Sequence, residues 1–183
     1  LGISFSWEEG SALYATLPNR ESLDIFLPAL TGPAEKIGHN LKYDLAVLRN
    51  HGVGVTGPLF DTLIAHTLLY PDQRHSMDYL AESLLGYSPI KLSDLTDNDS
   101  SEVGKGDKQG DLFAEKDIMD VASIPVKKMA RYAAEDADVT LQLANLLRPE
   151  LEEKGQHRVF YDIEARVLPV LVAMEDEGIA LDL

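Results

Sequence analysis

Two groups of side chains are spaced so that they can share a task. In Gly38-His39-Asn40-Leu41-Lys42-Tyr43-Asp44, Asn40 and Asp44 stand four positions apart, which on a helix puts them on one face with about 5 to 6 Å between Cβ atoms. Both can therefore point into the same cleft. In Arg131-Tyr132-Ala133-Ala134-Glu135-Asp136-Ala137-Asp138-Val139-Thr140, Tyr132 and Asp136 repeat that spacing, and Ala133, Ala134 and Ala137 let the helix pack closely on a neighbour. The Asp136 carboxylate offers the oxygen donors that hard divalent cations prefer. A tyrosine, with an ordinary pKa of about 10, stays protonated near neutrality, so Tyr132 suits orienting a water rather than deprotonating one. Each cluster alone also has a plainer reading. Asn40 fits a helix cap, Asp44 an exposed helical carboxylate, and the second cluster a solvated acidic helix with Tyr132 half buried.

The surrounding pattern predicts elements that can position these groups. Leu1 to Trp7 and Ala12 to Leu17, split by Glu8-Glu9-Gly10, predict a β-hairpin. Ser22 to Leu30 has helical apolar spacing, Lys36-Ile37-Gly38 predicts a short strand, and Leu41 to Asn50 predicts a helix stopped at His51-Gly52. A strand thus runs straight into a helix near Asn40. Pro58 to Asp61 predicts another strand, with helices at Thr62 to Leu69 and Met77 to Leu85. From Ser93 to Ser123 the apolar period gives way to Asp, Ser, Gly, Lys and Glu, which predicts a flexible insertion whose acidity favours slack over a DNA contact. After Pro125 a helix is expected to carry Tyr132 and Asp136 to about Lys154, ending at Gly155; a second runs from about Arg158 to Glu177 and stops at Gly178. Ile179 to Leu183 has the look of a strand that opens something further. Strands alternating with helices after an opening hairpin argue for an α/β sheet.

Composition limits the partners. With 31 acidic against 16 basic side chains, a formal charge of −15 opposes any broad grip on a phosphate backbone, so nucleic acid must be held locally. Cysteine is absent, which excludes disulfides and thiolate metal sites and is compatible with a reducing cytoplasm. No apolar run approaches the ~20 residues needed to span a bilayer. No membrane partner is expected, and the setting expected is cytoplasmic. At 183 residues, one compact domain with a helical extension is the natural size.

Taken together and in order, Asn40-Leu41-Lys42-Tyr43-Asp44 and Tyr132-Ala133-Ala134-Glu135-Asp136-Ala137-Asp138-Val139-Thr140 resemble the second and third motifs of the 3′→5′ exonuclease domain of bacterial family A DNA polymerases. Phe60-Asp61-Thr62, Arg74 to Glu82 and Gly104-Lys105-Gly106 resemble intervening segments, and Val167 to Ile179 is similar to the stretch where the polymerase domain begins. The resemblance implies a ribonuclease-H-like (DnaQ-like) mixed sheet flanked by helices, with residues 1–157 as exonuclease domain, 93–123 as its flexible insertion, and 158–183 as a helix entering the polymerase domain. It further implies two divalent cations, Mg2+ or Mn2+ with Zn2+ as another candidate, about 3.5 to 4 Å apart. By motif match, Asp44 and Asp136 would be metal ligands and Tyr132 would position the attacking water. Asn40 and Tyr43 would touch the last nucleotides of a single-stranded DNA 3′ end, Arg74 a phosphate, and Leu92 the terminal base.

The family's first motif, an Asp-x-Glu on the strand preceding the segment like Leu1 to Trp7, has no counterpart there, and Glu8-Glu9 lie in the hairpin turn and cannot replace it. Two cations would lose half of their anionic ligands. The expectation is a sheet lacking its usual first strand and, for these residues alone, weak or no exonuclease activity. Two other assignments share much of the pattern: an RNA exonuclease of the ribonuclease D type, and a catalytically silent structural brace of a polymerase.

Overall fold

The computed structural model describes residues 2–95 and 124–180. The expected hairpin forms from β1 (Gly2–Glu8) and β2 (Ser11–Thr16), antiparallel, with Ile3 opposite Ala15 and Phe5 opposite Leu13. Its register slips between Ser6 and Glu8, where Gly10 turns the chain at φ 78°. That conformation is open to glycine because it lacks Cβ. Two short helices follow, α1 (Arg20–Asp24) and α2 (Leu27–Leu30), where the apolar spacing predicted one. Asn19 caps the first by accepting from the Ser22 amide at 3.0 Å. Pro28 lies in the first turn of the second, the helical position where a missing N–H costs nothing. In the middle of a single helix it would have removed a bond.

The strand β3 (Lys36–Gly38) runs into α3 (Leu41–Asn50), and β4 (Leu59–Asp61) into α4 (Thr62–Leu69), all at the bounds the pattern predicts to within a residue. The two strands pair in parallel, Ile37 opposite Phe60 and Gly38 opposite Asp61, so both helices start from neighbouring points on one sheet end. Among the described residues the strands make two separate two-stranded sheets. The hairpin does not shift across to join the parallel pair.

What unites them is α6 (Val126–Glu153), a helix of 28 residues that packs on β1, β2 and β3 and also on α4. Before it come α5 (Met77–Leu80), continued by a π-turn at Ala81–Leu85, and a 3-10 turn at Leu92–Leu95. After it come α7 (His157–Val159), a π-turn at Phe160–Glu164 and α8 (Ala165–Glu177), which Gly178 ends at φ 70°. Ile179 and Ala180 have no regular structure, and the rest of the expected terminal strand lies outside the described residues. The flexible insertion expected at 93–123 likewise falls outside them, apart from the 3-10 turn.

Apolar burial is concentrated between the parallel strands and the long helix. Phe60, Ala65, Leu69, Ala144, Leu147, Leu151, Phe160 and Ala165 form the main core, with the Phe60 and Phe160 rings 4.8 Å apart. Burying each such side chain is worth roughly 1.5 to 3 kcal/mol. Arg148 caps this core: its guanidinium lies 4.5 Å from the Phe60 ring centroid and makes a fork to Glu35 at 2.7 and 3.3 Å. Leu41 and Leu45 of α3 pack with Leu168 and Val172 of α8, while Leu80 and Ala81 pack with Val139 and Leu143 of α6. These two contacts set the helices that carry the candidate site.

Candidate active site

The first cluster sits where β3 becomes α3. Asn40 takes a left-handed backbone, φ 62° and ψ 49°, and its side chain makes no capping bond to its own helix. The capping reading of Asn40 therefore fails, and the group that caps α3 comes from the neighbouring strand. Asp61, 1% exposed, accepts from the amides of Asn40 at 3.1 Å and Leu41 at 2.8 Å. It also caps its own helix, accepting from Leu63 at 2.9 Å and Ile64 at 3.4 Å. Asn40, Tyr43 and Asp44 are left on the outer side of the helix start, and all three are exposed residues. Protein nevertheless crowds the Asp44 carboxylate on one side. That desolvation, helped by the negative charge of Asp61, pushes its pKa up from 3.8 to about 6.

The second cluster sits on α6. Asp136 is half-buried, and its Oδ1 is a buried atom without a hydrogen-bond partner. Burial raises its pKa from 3.8 to about 6; the Tyr132 hydroxyl opposes the rise, while the charges of Glu135 and Asp78 add to it. Tyr132 is itself pushed well above the ordinary tyrosine range, by burial first and by Asp136 second. It therefore keeps its proton, which it gives to Asp136, while the hydroxyl oxygen can still accept.

His39 feels the charges of both Asp61 and Asp78, and its Nδ1 is 2.9 Å from the Thr62 hydroxyl. Burial dominates and lowers its pKa. The charge that helps raise Asp44 is that of Asp61, and those that help raise Asp136 are Glu135 and Asp78; His39 feels both Asp61 and Asp78. Arg74 lies exposed in the turn from α4 to α5, and Leu92 opens the 3-10 turn half-buried. That turn is tied to the second cluster: Glu135 accepts from the Tyr87 hydroxyl and from the Ile90 amide, the latter at 2.7 Å. Glu8-Glu9 lie at the hairpin tip, as expected, and Glu9 accepts from Asn145 at 2.7 Å. The chain also spells an Asp-x-Glu at Asp162-Ile163-Glu164, but on the helical π-turn before α8, with Asp162 paired to Arg158.

A divalent cation fits the donor chemistry of the two aspartates. Each is an oxygen donor held in its charged form at a cost, and Asp136 has an orphaned buried oxygen that a cation would satisfy. Among the described residues, no three His, Asp or Glu side chains converge closely enough to hold a metal unaided.

The motif reading did not single out the acids that hold these groups. Asp61 was visible only as a carboxylate ahead of Thr62 at a strand-to-helix junction, the position of an N-cap. Asp78, Glu135 and His39 gave no local signal, because what matters about them is proximity across elements.

Comparison with known proteins bears on the family and the fold. Residues 1–152 match the family described as 3'-5' exonuclease. The DNA polymerase I of Pseudomonas aeruginosa is 34% identical over 198 residues, covering 100% of this chain and 20% of the relative. That of Chloroflexus aurantiacus is 35% identical over 170 residues, 91% of this chain and 16% of the relative. Among solved structures, the POL domain of Pol1 from M. smegmatis in complex with DNA primer-template and dNTP superposes with a TM-score of 0.67 at 22% identity, over 94% of this chain and 25% of that one. Brucella melitensis NrnC with bound Mg2+ superposes at 0.58 and 23% identity, over 84% of this chain and 64% of that one. The chain belongs to the 3′-5′ exonuclease family, a class of hydrolytic nucleases with a ribonuclease-H-like fold. Within that class its relatives are the exonuclease domains of bacterial DNA polymerase I, of whose length it spans about a fifth.

Proposed function

We propose that this domain removes nucleotides from the 3′ end of single-stranded or frayed DNA by metal-assisted hydrolysis, as the proofreading part of a longer polymerase whose next domain is entered through residues 158–183. The observation that carries the reading is Asp136: a carboxylate raised to about 6, beside a protonated Tyr132, with one buried oxygen lacking a partner. Asp44 and Asp136 are the residues that would hold divalent cations, Mg2+ or Mn2+. Such ions, when bound, supply positive charge at the phosphate and lower the pKa of a nearby water. Tyr132, whose proton goes to Asp136, accepts a hydrogen bond from the water through its hydroxyl oxygen and so orients it. Asn40 and Tyr43, both exposed at the start of α3, meet the last nucleotides; Arg74 meets a phosphate and Leu92 the face of the terminal base. Local contacts of this kind suit a chain whose net charge of −15 repels DNA as a whole.

With only two of the family's carboxylates in these residues, weak turnover is expected from the 183 residues alone. Two measurements test the reading. Calorimetric titration with Mn2+ is expected to show binding that Asp136→Asn abolishes. Labelled single-stranded DNA and its ribo counterpart, each incubated with Mn2+, are expected to release mononucleotides slowly from the DNA 3′ end and more slowly from RNA. Mn2+ binding indifferent to Asp136 would refute the metal assignment, and preferential trimming of RNA would move the domain to the ribonuclease D type.

A further inference from the structure

We propose that Asp61 is a positioning residue: its buried carboxylate holds Asn40 in the left-handed conformation, fixes where α3 begins, and thereby sets how Asn40, Tyr43 and Asp44 are presented to a DNA end. This rests on the functional reading above, in which those side chains meet the last nucleotides.

Asn40 is the one non-glycine residue with positive φ among the described residues. L-residues avoid that region, asparagine less than most, so the conformation persists where surrounding bonds impose it. Here the left-handed turn aims two successive amides, Asn40 and Leu41, at one carboxylate. The two oxygens of Asp61 divide the work. Oδ1 accepts from Asn40, Leu63 and Ile64, whereas Oδ2 serves Leu41 alone at 2.8 Å. Capping α4 needs one oxygen; the second is used to start a helix on a different strand. Because β3 and β4 are paired with Gly38 opposite Asp61, that carboxylate helps lock the two helix starts to each other, beside the Thr62 hydroxyl, which donates to the Gly38 carbonyl at 3.1 Å. Relieved of capping, the Asn40 side chain is turned to the surface on the same helix start as Tyr43 and Asp44.

The division of labour makes the idea testable on the 183-residue chain. In Asp61→Asn the amide oxygen can still serve the Oδ1 group of donors, but an NH2 faces the Leu41 amide, donor against donor. Amide hydrogen exchange by NMR is expected to speed up by about 10-fold or more at Leu41 while Leu63 stays within roughly 3-fold. Affinity for a fluorescein-labelled single-stranded oligodeoxynucleotide, measured by anisotropy with calcium ions present, is expected to fall by about 5- to 10-fold at unchanged far-UV circular dichroism. Asp61→Ser is the companion variant, because a serine hydroxyl still caps α4 but does not reach Leu41. Equal exchange at Leu41 and Leu63, or faster exchange at Leu41 with undiminished binding, overturns the proposal. So does unfolding of both variants, which would make Asp61 a folding residue and nothing more. Failure of the unsubstituted chain to bind the oligonucleotide is a separate result, seen without any variant, and it overturns the functional reading together with what rests on it.

Discussion

Asp136 has to carry its charge where protein has been packed around it, with Tyr132 the one neighbour that helps. The sign of the consequence follows from linkage. With a folded pKa of about 6 against 3.8, the native state binds more protons between those values, so stability falls as pH rises through that window and the whole penalty is present at pH 7. Asp136→Asn is therefore expected to raise the melting temperature in metal-free buffer at pH 7, by on the order of 1 kcal/mol once solvent screening of a half-exposed group is allowed for, and to match the parent below pH 4. Thermal melts followed by circular dichroism at both pH values check this, and a lower melting temperature at pH 7 would contradict it. Adding Mn2+ should reverse the order, because a ligand that binds the folded state alone stabilises it in proportion to RT ln(1 + [L]/Kd). Tyr132→Phe is a complementary probe. If the hydroxyl orients the attacking water, Mn2+-dependent release should fall in kcat by roughly 10- to 100-fold with KM little changed. A rise in KM at constant kcat would instead make the tyrosine a binding group. At this scale the sequence pointed to Asn40, Asp44, Tyr132 and Asp136 through a four-residue spacing, although Asn40 lies just ahead of α3 in a left-handed conformation and not on the helix. It could not reveal that Asp61 caps a helix begun on another strand, because strand pairing brings those residues together and no spacing along the chain records it.

The elements that hold these side chains depend on a few interior contacts. Phe160 is fully buried against Phe60, so that the π-turn after α7 grips the parallel strands from which both site helices start. Phe160→Ala is expected to cost about 3 to 5 kcal/mol, read as a lower urea midpoint at unchanged slope. A second contact ties α4 to the turn that leads to α5. His66, fully buried, has its Nδ1 2.8 Å from the Nδ1 of His75, so one ring must donate and the other accept. Burial lowers the pKa of His66 and of His39. A depressed histidine contributes stability that is complete above the unfolded value of about 6.5 and is lost as pH falls below it, opposite in slope to the two aspartates. His66→Gln should accordingly flatten the melting temperature between pH 5 and 7 relative to the parent; an unchanged slope would show that another group titrates there. Helix and strand bounds were legible because periods of 3.6 and 2 are local. The break between α1 and α2 and the π-turns were not, because Pro28 and the packing of Phe160 act through neighbours rather than through apolar spacing.

For the molecule as a whole, the charge of −15 works against compactness. Added NaCl screens that repulsion and should raise the melting temperature by roughly a few degrees, while weakening any phosphate contact made through Arg74. A melting temperature that falls with salt would show that ion pairs such as Glu35–Arg148 outweigh the general repulsion. The acidic balance was plain in the composition. Its arrangement was not, since burial of Asp61 and crowding around Asp44 and Asp136 depend on strand pairing and helix packing, neither of which the composition records.

One helix, α6, carries Tyr132 and Asp136, receives the hairpin tip through the bond from the Gly10 amide to Asp138 at 2.7 Å, and holds the core from above through Arg148. Its 28 residues span about 42 Å, and its single interior proline, Pro149, falls in the last turns, beyond Tyr132, Asp136 and Arg148. The stretch from Val126 to Arg148 has neither proline nor glycine and so keeps an unbroken helical ladder. Because the hairpin tip bonds Asp138, two positions from Asp136 on the same helix, a displacement of the hairpin would be felt first at the turn of α6 that carries the aspartate.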